Sequence, residues 1–152
     1  MSEKSYILHG IAASPGIAIG PVFLLEDEEI MVGHWEIPKD DVKEELNRLK
    51  VALSKTHDEM VVMRDKAVKA LGKSHGRLFE AYLLILQDPL LTKDVVKIIE
   101  HERVNAEHAV KTVLDKTVRA LEKIDDEYFR ERHTDIEDVG NKILRHLLGK
   151  AS

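Results

Sequence analysis

A phosphate-binding loop is the first chemistry to consider, because residues 71–74 read Leu-Gly-Lys-Ser, like the end of such a loop. That motif needs another glycine five residues before Gly72, where this chain has Ala67. It also needs a preceding strand, whereas the pattern here predicts a helix. A helix stop at Gly72 and a helix N-cap at Ser74 explain the same residues. The sequence therefore predicts no nucleotide-binding loop.

The chain has eight histidines, a residue that often binds metals, but their spacing does not favour a metal site. His101 and His108 lie seven residues apart, with a predicted helix break at Asn105 between them. His133 and Glu137 lie one helical turn apart, which is typical of a surface pair. Acidic residues 125–127 are explained by helix capping, and no glycine-flanked serine elbow occurs. We therefore predict neither a metal site nor carboxylate or serine catalysis within this chain.

Composition narrows the class of protein. The 152 residues contain no cysteine, which excludes disulfides and thiolate metal sites, and carry 23 basic and 28 acidic side chains. Because the chain shows no basic stripe with interleaved aromatics, a nucleic-acid partner is not expected. No apolar run reaches the roughly 18 residues of a membrane span, and the first residues lack a signal-peptide pattern. The expected location is the cytoplasm.

Residues 1–37 differ from the rest of the chain. Short apolar runs at 6–8, 17–19 and 22–25 lie between glycines and prolines, a pattern typical of strands, and 30–32 could be one more. An acidic turn occupies 26–29. So few strands do not form a stable sheet by themselves. This β segment therefore either packs against the helical bundle or is part of an incomplete α/β subdomain.

Residues 38–149 follow a helical pattern. Apolar positions recur in steps of three and four from Val42 to Ala70, a heptad seam broken only by Thr56, which predicts one long helix packed against a partner. Further helices are predicted after Ser74, around 95–99, after Asn105 and from Asp126 to Leu148, with a bend at Asp88-Pro89. The predicted fold is mainly α: an antiparallel bundle of two helical hairpins preceded by the β segment.

The helix between Leu78 and Leu86 is apolar over more than half of its circumference. A helix of this kind must be covered on two sides. One side faces the bundle, and the other is either more core or a surface that receives a partner protein. The pattern alone leaves both interpretations open.

Three stretches, in this order along the chain, resemble the N-terminal part of enzyme I, the phosphoenolpyruvate–protein phosphotransferase family. The first, residues 10–20, reads GIAASPGIAIG and resembles the opening strand and turn of the family. The second, residues 79–89, reads FEAYLLILQDP and resembles the helix and bend of its carrier-docking site. The third, residues 124–140, begins IDDEYFRER, contains DIEDVG and resembles its last helical hairpin.

The resemblance implies that residues 38–149 dock HPr, the small phosphocarrier protein, and that residues 1–37 begin the α/β subdomain of the phosphorylated histidine. Nothing in this chain matches the family's Thr-Ser-His motif, so the resemblance implies that the catalytic histidine lies beyond it and that the chain alone is inactive. It implies no cofactor here, although magnesium is expected for the full-length parent. The chain is expected to be a monomer and the parent a homodimer.

The docking residues implied by position share the outer part of the second helix, the bend and the last hairpin. The apolar ones would form the centre of the contact, while Asp88 and Arg132 would set orientation and association rate. Two departures stand out: Tyr82 replaces a usual histidine, and Lys73-Ser74 replaces an acidic pair. The implied residues are His75, Tyr82, Leu84, Ile85, Asp88, Leu91, Leu121 and Arg132.

Two other functions stay open from the sequence. The heptad seam by itself would suit a helical interaction or oligomerisation module without phosphotransfer. A nitrogen-branch paralogue of enzyme I, with another HPr-like carrier, would share the same stretches.

Overall fold

The computed structural model describes residues 5–24 and 30–150, and the folded part of these is mainly helical. A 3₁₀ turn at Lys39–Asp41 leads into the first helix. Five helices follow within the described residues: α1 (Val42–Leu71), α2 (Lys73–Leu86), α3 (Pro89–Glu102), α4 (Ala106–Glu122) and α5 (Glu127–Leu147). The most extensive packing joins α1 to α2 and α4 to α5, as the two predicted hairpins require.

Helix α1 carries the predicted seam. Its buried residues include Leu49, Thr56 and Met60, which lie in the predicted register. Thr56 is fully buried, and its hydroxyl donates a hydrogen bond to the carbonyl of Ala52 at 2.8 Å, so the polar group that interrupts the seam is satisfied within the helix. The helix ends where Gly72 adopts a positive φ of 94°.

Helix caps were predicted with mixed success. Ser74 does not cap α2, because that helix begins at Lys73 with Gly72 at its N-cap. Asp126, within the acidic stretch predicted to cap a helix, does cap α5, and Asp88, where only a bend was predicted, caps α3. Their carboxylates accept from the amides of Tyr128 and Leu90, both at 2.9 Å. Asn105 occupies the N-cap position of α4, but its side chain makes no capping bond there. The side chain of Asn105 instead forms hydrogen bonds with residues that are distant in sequence.

A buried polar cluster, which we call the anchored end, fixes the segment that leads into α1. Asn105 donates from its side chain to the carbonyl of Gly33 at 3.0 Å and accepts from the amide of Trp35 at 3.1 Å. The carboxylate of Glu45 accepts from the amide of Ala106 at 2.7 Å and so caps α4 from another helix. Residues 33–37 are thereby tied to the start of α4.

Arg48 completes the anchored end. Its guanidinium donates to the carboxylates of Glu45 and Glu107 and to the carbonyl of Leu147 at 3.1 Å. Burial acts against the charge, but the hydrogen bond and charge of Glu107 outweigh it and raise the pKa of Arg48. One side chain therefore joins the start of α1, the start of α4 and the last turn of α5.

The predicted β segment is not confirmed. Among residues 5–24 and 30–38, the only pairing is an isolated antiparallel bridge between Glu36 and Val104. Tyr6, Ile11 and Phe23 are exposed, whereas Ile30 and Val32 of the run at 30–32 are half-buried and pack against the core of the bundle without forming a strand. Residues 26–29 and Leu25 lie outside the described part of the chain. An apolar segment without strand partners cannot form a sheet, which is why local pattern alone did not decide this region.

The two hairpins pack through a continuous apolar core. Gly140 of α5 lies so close to Leu114 of α4 that an added Cβ would stand 2.5 Å from its side chain, so the pairing of these helices depends on that glycine. None of the described helices is long and apolar enough to cross a membrane.

Candidate docking surface

Helix α2 has two different faces. Tyr82, Leu83 and Leu86 are buried against the rest of the bundle. On the opposite side Leu84 is 70% exposed, and just past the bend Leu90 is 71% exposed. The predicted wide apolar face is therefore divided, with one part in the core and one part at the surface.

The bend places three of the implied residues along one edge. Leu84 and Asp88 are one helical turn apart in sequence and both are exposed, while Ile85 is half-buried and packs against the core. Asp88 also uses its carboxylate to cap α3. We define the outer face of α2 as Arg77, Leu84, Asp88 and Leu90 together with Lys73.

Tyr82 lies beneath this outer face. It is 7% exposed, and its hydroxyl donates to Oδ2 of Asp138 in α5 at 2.7 Å. Burial, and then the hydrogen bond to Asp138, raise the pKa of Tyr82. Its ring also meets Phe79 edge to face, with centroids 6.1 Å apart. The side chain thus fixes α2 against α5 and is not free for a partner.

Arg132 occupies the first half of α5. Its guanidinium donates to the hydroxyl of Tyr128 at 2.7 Å and lies 5.2 Å from the centre of that ring. The hydrogen bond to Tyr128 raises the pKa of Arg132, and the charge of Asp135 adds to the rise. The charge of Asp135 also raises the pKa of Tyr82. A polar strip on α5 therefore runs from Arg132 towards α2.

The remaining implied residues are spread more widely. His75 is exposed in the first turn of α2, whereas Leu91 and Leu121 are half-buried in α3 and α4. Leu91 contributes to the apolar lining between α1, α3, α4 and α5. Within the described ranges, no hydrogen bond or ion pair links Arg132 to the α2 residues. The structure thus brings Leu84, Ile85 and Asp88 together and leaves Arg132 and Leu121 on neighbouring helices.

Sequence reasoning missed several exposed apolar side chains. Leu90 follows the bend directly, and Ile124, Tyr128 and Phe129 are exposed at the turn between α4 and α5. The sequence signal for Leu90 was its position next to Pro89, in the first turn of a helix whose buried positions are Val95 and Ile99. With the register set by Val95 and Ile99, Leu90 lies outside the buried stripe of α3, and helical periodicity could have shown this.

The histidines form no metal site in the described part of the chain, where no group of three or more ligating side chains comes together. His34 and His108 instead stack with ring centroids 3.8 Å apart. Burial, and then the nearby His34, lower the pKa of His108. His146 pairs with Glu59 at 2.7 Å and Lys142 pairs with the same carboxylate at 3.0 Å, which joins α5 to α1.

Comparison with protein families gives a match to the model described as "PEP-utilising enzyme, N-terminal", over residues 9–132. Similar curated proteins are phosphoenolpyruvate-protein phosphotransferases of Priestia megaterium, 42% identical over 142 residues, and of Listeria monocytogenes, 40% identical over the same length. Each alignment covers 93% of this chain. The chain spans only about a quarter of either relative, at 24%.

Solved structures agree. An NMR structure of Enzyme I (nEIt) is 40% identical with a TM-score of 0.79, and the match covers 94% of this chain and 58% of that one. The N-terminal domain of Enzyme 1 - Nitrogen is 26% identical with a TM-score of 0.71, over 80% of this chain and 50% of that one. The resemblance noted from the sequence is confirmed, and the chain belongs to the N-terminal family of PEP-utilising enzymes, as an enzyme I-type member.

Proposed function

We propose that this chain is the carrier-docking part of a phosphoenolpyruvate-dependent protein phosphotransferase and that it binds an HPr-like phosphocarrier protein. The observation that carries the proposal is the division of α2, with Tyr82 held in the core and Leu84 exposed on the opposite side. Exposed apolar side chains next to a rigid core are what the centre of a protein–protein contact requires. The similarity to phosphoenolpyruvate-protein phosphotransferases supports the same function.

The docking residues follow from this geometry. Leu84 and Leu90 supply exposed apolar area, with Ile85 as their half-buried support. Tyr82 acts by holding α2 against Asp138. His75, Leu91, Leu121, Asp88 and Arg132 stay in the proposal as surrounding contacts, since they lie on α2, α3, α4, α5 or the bend.

Phosphoryl chemistry is proposed to take place on groups outside this chain. A phosphorylated histidine and a magnesium-dependent phosphoenolpyruvate site belong to the parent protein in this proposal. Incubation with phosphoenolpyruvate and magnesium should therefore leave the eight histidines without radiolabel. Label on any of them would contradict this part of the proposal.

The organisation proposed for the parent extends this division of roles. Residues 1–37 would contribute strands to an α/β subdomain, with 38–149 as the docking domain, which fits the unpartnered apolar side chains at 6–8 and 17–19. We propose a cytoplasmic monomer for this chain and a homodimer for the parent, with a role in sugar uptake. The identity to nEIt, at 40%, is higher than the identity to the nitrogen-branch structure, at 26%, which favours a member outside the nitrogen branch.

Nuclear magnetic resonance can test docking with a matched pair of substitutions. Leu84→Asp places a charge where wild type is mostly exposed, so it should abolish the carrier-induced shifts while the melting temperature stays near that of wild type. Ile85→Asp, one residue on, buries a charge against the core and should lower the melting temperature as well. The measurement is a titration of the isotope-labelled chain with HPr, together with thermal melts of both variants.

Three outcomes separate the proposals. If folded wild type shows no shifts with millimolar HPr, the docking function is wrong. If Leu84→Asp binds as wild type does, docking uses another face. A chain that forms a stable oligomer through the outer face of α2 and ignores HPr would support the oligomerisation module.

A further inference from the structure

A buried glycine lies in the first turn of α2, where its neighbours are exposed. Gly76 is buried, whereas His75 and Arg77 on either side of it are exposed. Glycine inside a helix costs stability relative to alanine, so the helix gains nothing locally from this residue. A buried glycine between exposed side chains indicates that another element approaches the backbone of α2 closely at this point.

The element that approaches Gly76 is the last part of α1. A Cβ atom added to Gly76 would stand 2.5 Å from Cγ2 of Val68 and 3.5 Å from Cγ of Arg64. Carbon atoms pack best at about 3.5–4.0 Å, so the approach to Val68 would be too short by about 1 Å. Because valine keeps one strongly preferred χ1 in a helix, Val68 cannot easily turn aside. A side chain at position 76 would therefore push the start of α2 away from α1.

The connection between the two helices leaves little room for such a shift. Gly72 is the single residue between α1 and α2. Its amide donates to the carbonyl of Val68 at 2.9 Å, and its carbonyl accepts from the amide of His75 at 3.1 Å. A one-residue connection cannot absorb a displacement, so the whole of α2 has to tilt.

The other end of α2 is fixed against α5. The hydroxyl of Tyr82 donates to Oδ2 of Asp138 at 2.7 Å, and the side chain of Tyr82 is buried. With this end held, a push at Gly76 tilts the helix about Tyr82. Residues near Gly76 then move further than Leu84, which lies only two positions from Tyr82.

We infer that Gly76 is a positioning residue for carrier docking, because its close contact with Val68 sets the place at which His75 and Arg77 meet the carrier. This role rests on the proposed docking function and identifies what locates the first turn of α2 in it. His75 is among the docking residues implied by the resemblance, and Arg77 belongs to the outer face of α2. Contacts in a binding site have to lie within about 0.5 Å of their productive places, so a shift of about 1 Å weakens binding.

Gly76→Ala tests the inference. The dissociation constant for the HPr protein of the same organism should rise about tenfold, because the first turn of α2 no longer meets the carrier in place. In a nuclear magnetic resonance titration, the carrier-induced shifts at His75 and Arg77 should shrink, whereas that at Leu84 should persist. Thermal melts check folding, and the higher helix propensity of alanine means that weaker binding cannot come from unwinding of α2.

Truncation of the opposing side chain should reverse the effect. Gly76→Ala/Val68→Ala removes the methyl groups that the new Cβ would meet, so it should bind HPr within about twofold of Val68→Ala alone. A glycine that serves only packing would change the melting temperature without changing the affinity of the folded chain. If Gly76→Ala does not fold, the double variant still decides, because binding about tenfold weaker than that of Val68→Ala would overturn the inference.

The matched control is Gly10→Ala, the same substitution at a glycine where an added Cβ would have no atom within 4 Å. It should change the dissociation constant by less than about twofold. Gly76→Ala that binds HPr as tightly as wild type, with the shifts at His75 and Arg77 unchanged, would overturn the positioning role and leave the docking function standing. Wild type that does not bind HPr would overturn both.

Discussion

The anchored end and the outer face of α2 follow opposite rules for placing polar and apolar groups. At the anchored end, Asn105 and Glu107 are removed from water almost completely, and each has a hydrogen-bonding partner. On the outer face, Leu84 and Leu90 keep about seven-tenths of their surface in water, at 70% and 71%. The anchored end buries polar groups that water would solvate well, and the outer face of α2 exposes apolar side chains that water solvates poorly.

The difference shows what each region is for. A buried polar group is tolerated only when its hydrogen bonds are satisfied, so a complete network marks a structural joint. Among the described side chains, no buried nitrogen or oxygen lacks a partner. Exposed apolar side chains gain nothing in the isolated chain and become favourable when a partner covers them. The comparison therefore separates stability at the anchored end from recognition at the outer face.

The largest expected effect is loss of Arg48. Arg48→Ala would leave two largely buried carboxylates, Glu45 and Glu107, without their cation and should cost about 3–5 kcal/mol of unfolding free energy. Urea denaturation monitored by far-ultraviolet circular dichroism measures it. Carrier binding by the molecules that remain folded should be unchanged, because the anchored end lies away from the outer face of α2.

Arg64→Ala is the matched control for that measurement. Arg64 also pairs with a carboxylate, at 3.1 Å from Asp65, but Asp65 is well exposed. This substitution should cost less than about 1 kcal/mol. Equal denaturation midpoints for Arg48→Ala and Arg64→Ala would mean that the anchored end is not a structural joint.

A smaller effect is expected at the bend. Asp88 lies on the outer face of α2, but like the residues of the anchored end it also makes a structural hydrogen bond. Asp88→Ala removes the acceptor for the amide of Leu90 and should cost about 1 kcal/mol as a lost helix cap. Asp88→Asn keeps an acceptor of the same shape and should remain within about 0.5 kcal/mol of wild type. Thermal melts of the two variants measure the difference, and a destabilised Asp88→Asn would show that charge at this position matters more than capping.

Much of the helical fold could be predicted from the sequence because its signals are local. The seam from Val42 to Ala70, the stop at Gly72 and the bend at Asp88-Pro89 each depend on neighbours within a few residues. The capping predicted for the acidic residues 125–127 is confirmed at Asp126 for the same reason. The strands predicted within residues 5–24 depend on distant pairing partners, which a local pattern does not supply.

The candidate site could be predicted only in outline. Pattern showed that the helix from Leu78 to Leu86 needs cover on two sides, but it could not tell which leucine faces out. Asn105 and Glu45 mark the same limit: Asn105 was predicted as a cap from its position, yet Glu45, distant in sequence, supplies the acceptor. Contacts between residues far apart in the chain decided both cases.

Sequence by itself determined the helices, their order and the resemblance that the comparisons confirmed, because periodicity and capping are properties of neighbouring residues. Only the tertiary structure decided that Tyr82 is held by Asp138 in the core while Leu84 stands in water. Both residues are apolar enough for either place. The choice depends on where α5 packs against α2, since burial is a property of the assembled surface and not of the side chain alone.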